Sequence, residues 1–333
     1  AAAAAAVSAA AGAATSRRRG RTARQAKKKG GFGPVPYEQQ AAKAAVMDEV
    51  GERVQYMVDD NAKGLCDQLK NYGYAQVDGF LANEIHGYPN RIRDEMKAMF
   101  DRGWFEEETE SEGSFKIGEY RITNQDQAHR FRVKLLGSTD AEGVKRVETQ
   151  YEVAPTVISF VRSLLVSVAS SMGKAGGGAL STNVGSAELN VFCGNGARRD
   201  RRVSNEFGWN TERGFAPDPR KLTVMYFANP QVKAEHGGHL QLEGVITPSG
   251  AVSIAPTHDR LVMFWADKTV WSMRPSQANL ISEHQMCIVM QLMAEKQDSI
   301  EYDPRVLARW FPELRDKPMS LPSFQPMPGM PQL

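Results

Sequence analysis

The pattern of apolar and polar positions divides the chain into a helical first half and a strand-rich second half. Apolar residues recur at helical spacing in three stretches, which predict helices over residues 38–71, 81–103 and 155–172. We expect the first helix to be interrupted near residues 59–63 and the second to be broken early by Pro89. Proline at the start of the third stretch suits the first turn of a helix.

Short runs of β-branched and aromatic residues, separated by Gly, Asn, Pro and Asp, predict strands in the rest of the body. Three of them are expected over residues 74–80, 115–122 and 130–137. From residue 187 onward strand follows strand, in ELNVF, LTVMYF, GHLQLE, AVSIA, RLVMFW and MCIVMQLM. This succession predicts an α+β fold, in which two facing antiparallel sheets form a sandwich or jelly roll and the helices pack beside it.

Composition changes this picture at the two ends of the chain. The 333 residues are 41% hydrophobic and 24% charged, as in ordinary globular proteins. Residues 1–36 form an Ala-rich and then basic extension, residues 37–297 the folded domain, and residues 298–333 a short helix with a Pro/Met-rich tail. No apolar run is expected to approach the roughly 20 residues that span a bilayer.

The basic arm of the extension carries eight Lys and Arg residues and no acidic one, so the remaining chain has a net charge of about −6 against +2 overall. An Ala-rich, Arg-rich start is typical of an organellar transit region, and we expect a chloroplast before a mitochondrion. In the alternative, this segment is a low-complexity tail without a targeting signal, and the protein is cytoplasmic. The residues of the arm are Arg17, Arg18, Arg19, Arg21, Arg24, Lys27, Lys28 and Lys29.

The three cysteines, Cys66, Cys193 and Cys287, share no short spacing, which argues against a zinc site or a disulfide framework. We expect them to be reduced, in an intracellular or organellar compartment. Cys193 precedes a Gly-Asn-Gly turn at a strand end, and we interpret it as a core thiol rather than a nucleophile.

Several separated motifs between residues 65 and 295 resemble the prolyl 4-hydroxylase group of iron(II)/2-oxoglutarate dioxygenases. LKNYGYAQVDGFL, GNGARRDRRVSN, RKLTVMYFANP, HGGHLQL and DRLVMFWAD match that group in order and spacing. The resemblance implies a double-stranded β-helix, or jelly roll, whose inner strands hold iron with a His-x-Asp pair and a distant His. It also implies a basic residue, at the start of the last core strand, that binds the 2-oxoglutarate carboxylate.

The chain departs from that pattern at all four positions. Arg202 stands at the first His, Ser204 at the Asp, Trp271 at the second His, and Gln285 (or His284, one residue earlier) at the carboxylate anchor. No histidine occurs between His129 and His236, and a guanidinium has no lone pair for a metal. We therefore expect no catalytic residue, metal or bound cofactor. Our hypothesis is a pocket plugged by Arg202 and Trp271, with the guanidinium stacked on the indole.

These residues favour a non-catalytic, prolyl 4-hydroxylase-like pseudoenzyme, a structural, scaffold or assembly subunit that contacts protein partners through its arm and tail in a larger organellar complex. Two alternatives stay open. In one, His236 and His239 form a relocated metal site, with a third ligand such as His258 or Glu243, in an active dioxygenase that uses Fe(II) and 2-oxoglutarate. In the other, the basic arm binds nucleic acid or an anionic membrane surface.

Overall fold

The computed structural model describes residues 37–81, 87–107, 114–117, 120–123, 130–135, 150, 152–174, 180–203 and 219–296. The basic arm and the Pro/Met-rich tail lie outside these residues, so the predictions about them stay predictions. All packing reported below belongs to Ala41–Leu333, the larger of the two units into which the chain divides.

The described helices are α1 (Tyr37–Tyr72), α2 (Tyr88–Asp101) and α3 (Pro155–Lys174). The interruption predicted in α1 near residues 59–63 is wrong, because the polar side chains there are satisfied along the helix and by α3. Asp59 accepts hydrogen bonds from Gln55 (2.6 Å) and from the hydroxyl of Ser171. One turn earlier, Ser167 donates to Gln55 (2.7 Å), so the two helices meet in a parallel register.

The second helix, α2, begins at Tyr88 rather than at residue 81, since Pro89 occupies its first turn, where a missing N–H costs no hydrogen bond. This helix also caps α3, which has no acidic residue in its own first turn. Glu95 of α2 accepts the backbone N–H groups of Thr156 (3.2 Å) and Val157 (2.9 Å). The cap fixes the start of α3 against the rest of the fold.

Thirteen strands are described. They are β1 (Tyr74–Asp78), β2 (Glu106–Glu107), β3 (Ser114–Ile117), β4 (Tyr120–Thr123), β5 (Arg130–Leu135), β6 (Leu180–Phe192), β7 (Ala197–Val203), β8 (Arg220–Phe227), β9 (Leu240–Glu243), β10 (Ala251–Ile254), β11 (Arg260–Trp265), β12 (Val270–Ser276) and β13 (Gln285–Ala294). The segment 115–122, predicted as one strand, instead belongs to two antiparallel strands, β3 and β4. A glycine in the middle of a strand pattern is a common signal of such an interruption.

Two antiparallel sheets form the jelly roll, which confirms the predicted α+β fold with helices packed on a double-stranded β-helix. The major sheet has the order β1-β11-β8-β13-β6-β5-β2, and the minor sheet has the order β10-β9-β12-β7. One core, which includes residues of the helices, covers the outer face of the major sheet. A second core of residues from both sheets fills the space between them.

One described stretch, Pro155–Gly173 of α3, has the length and hydropathy of a membrane span, so the expectation that no apolar run approaches this length needs correction. The stretch is 67% buried inside the fold. Its apolar side chains, among them Phe160 and Val161, belong to the core on the outer face of the major sheet. Packing in that core accounts for its hydropathy.

Asp259 joins the segment that follows β1 to strand β8. Its buried carboxylate accepts the backbone N–H of Leu81 (2.9 and 3.1 Å to its two oxygens) and the hydroxyl of Tyr226 (2.9 Å), while its carbonyl accepts the N–H of Phe80 (2.9 Å). Asp259 has a φ of 54°, a left-handed conformation that Asp and Asn adopt more readily than other side chains. Burial and the nearby carboxylate raise the pKa of Tyr226, which keeps its hydroxyl a donor.

We expect Asp259→Ala to lower the free energy of unfolding by about 2–4 kcal/mol, because two buried donors lose their acceptor. Asp259→Asn should cost less, since the amide keeps one acceptor oxygen and tolerates the backbone conformation. Urea unfolding measures both, with Asp78→Ala, an exposed aspartate on the neighbouring strand, as the matched control. Equal losses for Asp78→Ala and Asp259→Ala would contradict this assignment.

Candidate functional site

The structure brings two of the predicted pocket positions directly opposite each other. β7 pairs with β12 in the minor sheet, and Arg202 is the register partner of Trp271. Ser204 and the side chain of Arg202 lie outside the described residues. The resemblance is therefore tested structurally at Trp271 and its surroundings.

Trp271 lies in the space between the two sheets, with 1% of its surface exposed. Its ring packs against Phe264 of the major sheet, with 6.2 Å between ring centroids. The guanidinium over the indole belongs to Arg199, whose Cζ lies 4.6 Å from the ring centroid. The stacking predicted for Arg202 stays a prediction, because its side chain lies outside the described residues. The register of β7 against β12 shifts on both sides of the Met273–Arg199 pair.

Arg199 is also one member of a buried polar network. Its Nη1 lies 2.7 Å from the carboxylate of Glu188, on β6. Asn190, two residues along the same strand, donates to the same carboxylate (3.2 Å) and accepts from the guanidinium of Arg130 (2.9 Å). Arg130 has no exposed surface, and Arg199 is 4% exposed. The jelly roll thus encloses two guanidinium groups, held by a carboxylate, an amide and an indole ring.

The rest of the space between the sheets is apolar. Strands of the two sheets contribute inward-facing side chains that alternate with residues facing the helices or the surface. The buried members of this core are Phe192, Ala197, Met225, Phe227, Leu240, Leu242, Val245, Ile254, Val262, Phe264, Trp271, Met273, Cys287 and Val289. Of the eight residue types in this list, only cysteine is a usual metal ligand. Burial raises the pKa of the Cys287 thiol to about 12.

The described residues do not fit an iron(II) site of the expected kind. An indole offers an N–H donor and no lone pair, and a guanidinium 4.6 Å from its ring adds a permanent positive charge. Within the part of the chain that the structure describes, no three His, Cys, Asp or Glu side chains are grouped to hold a metal. That the His-x-Asp pair is missing is known from the sequence alone, in which Arg202 and Ser204 stand at those positions.

Gln285, at the predicted carboxylate anchor, makes a contact within the protein instead. Its side-chain N–H donates to the carbonyl of Gly237 (3.0 Å), and it is 1% exposed. Its Oε1 lies over Gly238, where an added Cβ would be only 1.6 Å away. The Gly-Gly pair therefore accommodates Gln285, whose neutral amide does not supply the charge that a carboxylate anchor needs.

The two histidines of the alternative metal site have separate surroundings. His236 is buried, with its Nε2 3.5 Å from the carboxylate of Glu283 and its Nδ1 accepting the N–H of Lys233 (3.4 Å). His239 lines a cleft on the outer face of the minor sheet, together with Glu243. Cys193 is half-buried, and burial raises the pKa of its thiol to about 11, as a core thiol requires and a nucleophile does not.

A second buried polar group, missed in the sequence, joins α2 to the loop that follows β8 and to the loop that precedes β13. Arg93 donates to the side chain of Asn229 (2.8 Å) and to the carbonyl of Ser282 (3.1 Å). Burial lowers the pKa of Arg93 to about 10. Burial also lowers the pKa values of His258 and His284, and the positive charge of Arg93 lowers both of them further.

Comparison with known proteins supports the resemblance. No family model matches the chain. A hypoxia-inducible factor prolyl hydroxylase of Caenorhabditis elegans is 25% identical over 238 residues, which are 70% of this chain and 28% of that protein. The chain thus matches less than a third of the length of this curated relative.

Solved structures agree on the fold. A prolyl 4-hydroxylase from Phytophthora capsici has a TM-score of 0.50 at 22% identity, over 79% of this chain and 74% of that one. A Trichoplax adhaerens prolyl hydroxylase, solved with a peptide fragment of the hypoxia-inducible factor oxygen degradation domain, has a TM-score of 0.45 at 17% identity, over 81% and 99% of the two chains. The likeness to the Phytophthora capsici structure concerns the fold, and the sequence similarity to a prolyl hydroxylase comes from the Caenorhabditis elegans relative.

Removing Glu188 tests the interior network. We expect Glu188→Ala to lower the free energy of unfolding by about 3–5 kcal/mol, because it leaves the buried charge of Arg199 without its carboxylate. The double variant Glu188→Leu, Arg199→Met should recover most of that loss, since it removes both charges at similar volume. Lys97→Ala, which breaks an exposed pair with Asp101, is the control and should cost about 0.5 kcal/mol or less. A double variant as unstable as Glu188→Ala would contradict the charge-compensation argument.

The lowered pKa values of His258 and His284 predict a pH dependence of stability. Their folded-state pKa values lie below the ordinary 6.5, so the unfolded chain binds more protons below that pH. The free energy of unfolding should be constant above pH 6.5 and fall toward pH 5, by at most about 1.4 kcal/mol per pH unit for each histidine. Chemical denaturation at each pH measures it.

The control for this experiment is the variant His258→Asn, His284→Gln, in which the fall should be smaller. The raised pKa of Glu95 acts in the opposite direction, which is why the comparison of the two proteins decides the result. The same pH slope in both proteins would show that these histidines do not cause it.

Proposed function

We propose that this chain is a non-catalytic member of the prolyl hydroxylase and 2-oxoglutarate oxygenase family, and that it acts as a structural or assembly subunit of a larger complex. The observation that carries the proposal is the filled interior: Trp271, Arg199 and Glu188 occupy the space between the sheets with an indole and an ion pair. An indole and a guanidinium have no lone pair to give to a metal.

Charge supports the same proposal. An iron(II) site needs neutral or anionic ligands around a dication. Here the interior contains Arg130 and Arg199 close to Glu188 and Asn190, so that any dication beside Trp271 would meet positive charge. Packing and hydrogen bonds between side chains maintain the fold without a metal.

The partner contacts of the proposed subunit are assigned to the two ends of the chain. The basic arm, from Arg17 to Lys29, suits an acidic surface of a protein partner, and the proline-rich segment after Lys317 suits an apolar groove. An organellar compartment, with the chloroplast first, fits the composition of residues 1–36 and remains part of the proposal.

The alternative is an active dioxygenase like the relatives, and turnover separates the two. With Fe(II), ascorbate and 2-oxoglutarate, we expect the purified chain to form no succinate above the level of buffer, and Mn(II) titration by electron paramagnetic resonance to detect no bound ion. The Phytophthora capsici enzyme serves as the positive control. In native extracts the chain should elute from a sizing column well above its own mass of 36.8 kDa.

A variant that restores the ligand set sharpens this test. Arg202→His, Ser204→Asp, Trp271→His, made in the background Glu188→Leu, Arg199→Met that removes the charged pair, should gain one Mn(II) per chain if these positions correspond to the lost ligands, and circular dichroism checks its fold. A wild-type monomer that converts 2-oxoglutarate to succinate would overturn the proposal. A folded variant of this kind without Mn(II) would overturn the assignment of the positions.

A further inference from the structure

A buried positive charge on α2 is surrounded by neutral acceptors. Arg93 is 6% exposed, and its Nη1 donates to the carbonyl of Ala228 (3.2 Å) and to the side-chain oxygen of Asn229 (2.8 Å). Its Nη2 donates to the carbonyl of Ser282 (3.1 Å). Within the part of the chain that the structure describes, no carboxylate accepts a hydrogen bond from this guanidinium. A buried charge is costly unless an opposite charge lies beside it, so the position favours an anion.

The guanidinium of Arg93 also has N–H groups that these contacts do not use. An arginine side chain carries five N–H donors, and the three contacts occupy three of them. Among the described residues, the Nε–H and one of the two Nη2–H groups have no acceptor. The planar guanidinium matches the oxygen atoms of a carboxylate, phosphate or sulfate, with which it forms strong, charge-assisted hydrogen bonds. Arg93 can therefore bind an oxyanion and keep its present contacts.

Two imidazole rings lie within electrostatic reach of Arg93, since its charge lowers the pKa of both. His284 is 7% exposed, and its ring meets the edge of Phe100, two helical turns along α2 from Arg93, with 6.3 Å between ring centroids. His258 is half-buried in the loop before β11. The Nδ1 atoms of both histidines are buried without a hydrogen-bond partner among the described residues. Buried polar atoms of this kind are uncommon, and a bound ion is one explanation for them.

The acidic side chains whose charges act on this cluster do not bind Arg93. Asp94 follows Arg93 on α2 and is exposed. Asp259 follows His258, and its carboxylate accepts a backbone N–H and a tyrosine hydroxyl. Neither carboxylate accepts a hydrogen bond from the guanidinium. The place of a directly bound anion beside Arg93 is therefore not taken by these two residues.

The exposure of these residues limits the size of a ligand. Arg93 and His284 are 6% and 7% exposed, which is too little for a contact with the surface of a macromolecule. Ser282, whose carbonyl accepts from Arg93, is exposed, and His258 is half-buried. Solvent thus reaches the edge of the cluster, and these observations favour a small ion from solution.

We propose that Arg93, His258 and His284 form a binding site for a small dissolved oxyanion, of the class of inorganic phosphate, sulfate or a short carboxylate. The Nε–H and the remaining Nη2–H of Arg93 donate to its oxygen atoms, and an imidazole N–H donates to another. The ion joins α2 to the loops that precede β11 and β13. The site is independent of the proposed function, because these residues lie on α2 and on loops, and none belongs to the network around Trp271.

The test titrates the full chain with sodium sulfate, against sodium chloride of equal ionic strength. Sulfate is the probe because its charge is constant around neutral pH. Nuclear magnetic resonance follows the Nε–H signal of Arg93, which is assigned by its absence from the variant Arg93→Lys. We expect a saturable shift of this signal at millimolar sulfate, and of the backbone amide signals of Ser282 and His284. Phosphate and acetate should compete with sulfate, and chloride should have no saturable effect.

Variants of the cluster identify the contacts, with isothermal titration calorimetry as the measure of affinity. Arg93→Lys keeps the charge and loses the planar set of donors, so it should weaken sulfate at least about five-fold. The variant His258→Asn, His284→Gln should weaken it about three-fold or more. Arg91→Lys, at an exposed arginine of the same helix, is the matched control and should leave the affinity unchanged. Melting temperatures confirm that each variant is folded.

Several results would overturn the proposal. The first is an Nε–H signal of Arg93 in the wild type that sulfate does not shift, or that chloride shifts equally; this result needs no variant to fold. Another is equal affinity of the wild type and Arg93→Lys, or an equal loss in Arg91→Lys, which would place the ion on the surface of α2. The last is a phosphopeptide that shifts the signal where free sulfate and phosphate do not.

Discussion

Two facing sheets keep their spacing only if the space between them is filled, because a void leaves the side chains around it without partner atoms. In this chain buried apolar side chains of both sheets occupy that space. Trp271 reaches from the minor sheet to Phe264 of the major sheet, and Arg199 lies on its ring. The positions of both sheets, and therefore of every loop that joins them, depend on this contact.

The arginine in this contact imposes a second requirement. A guanidinium stays charged at any physiological pH, so a buried one must find a carboxylate or several acceptors within reach. Glu188 meets that need for Arg199, and Asn190 links the pair to Arg130. β5, β6 and β7 are thereby tied together across the open side of the sandwich. Between the sheets, Arg199, Glu188 and Arg130 are connected through Asn190 in one network.

Much of this structure could be predicted from the sequence, and the failures have local physical causes. The β-branched runs and their turn residues predict the order of the strands, and the motif around Trp271 predicts its place in the jelly roll. The helix break near Asp59 was wrong because its polar side chain is satisfied by Ser171, more than a hundred residues away. The position of Arg199 over the indole could not be predicted, because it depends on strand irregularities that leave no mark in the pattern of the ARRDRR run.

The bond from Asp259 to Leu81 joins residues 178 positions apart, and Asp78 meets Arg260 across 182. β1 lies at the edge of the major sheet and pairs only with β11 among the described strands. During synthesis β1 cannot pair with β11 until residue 265 has left the ribosome, roughly 10–40 s later at elongation rates of about 5–20 residues per second. Such a wait exposes a strand and its apolar side chains to other chains. Efficient production of this protein thus depends on whatever shields its first strand while the last third of the jelly roll is being made.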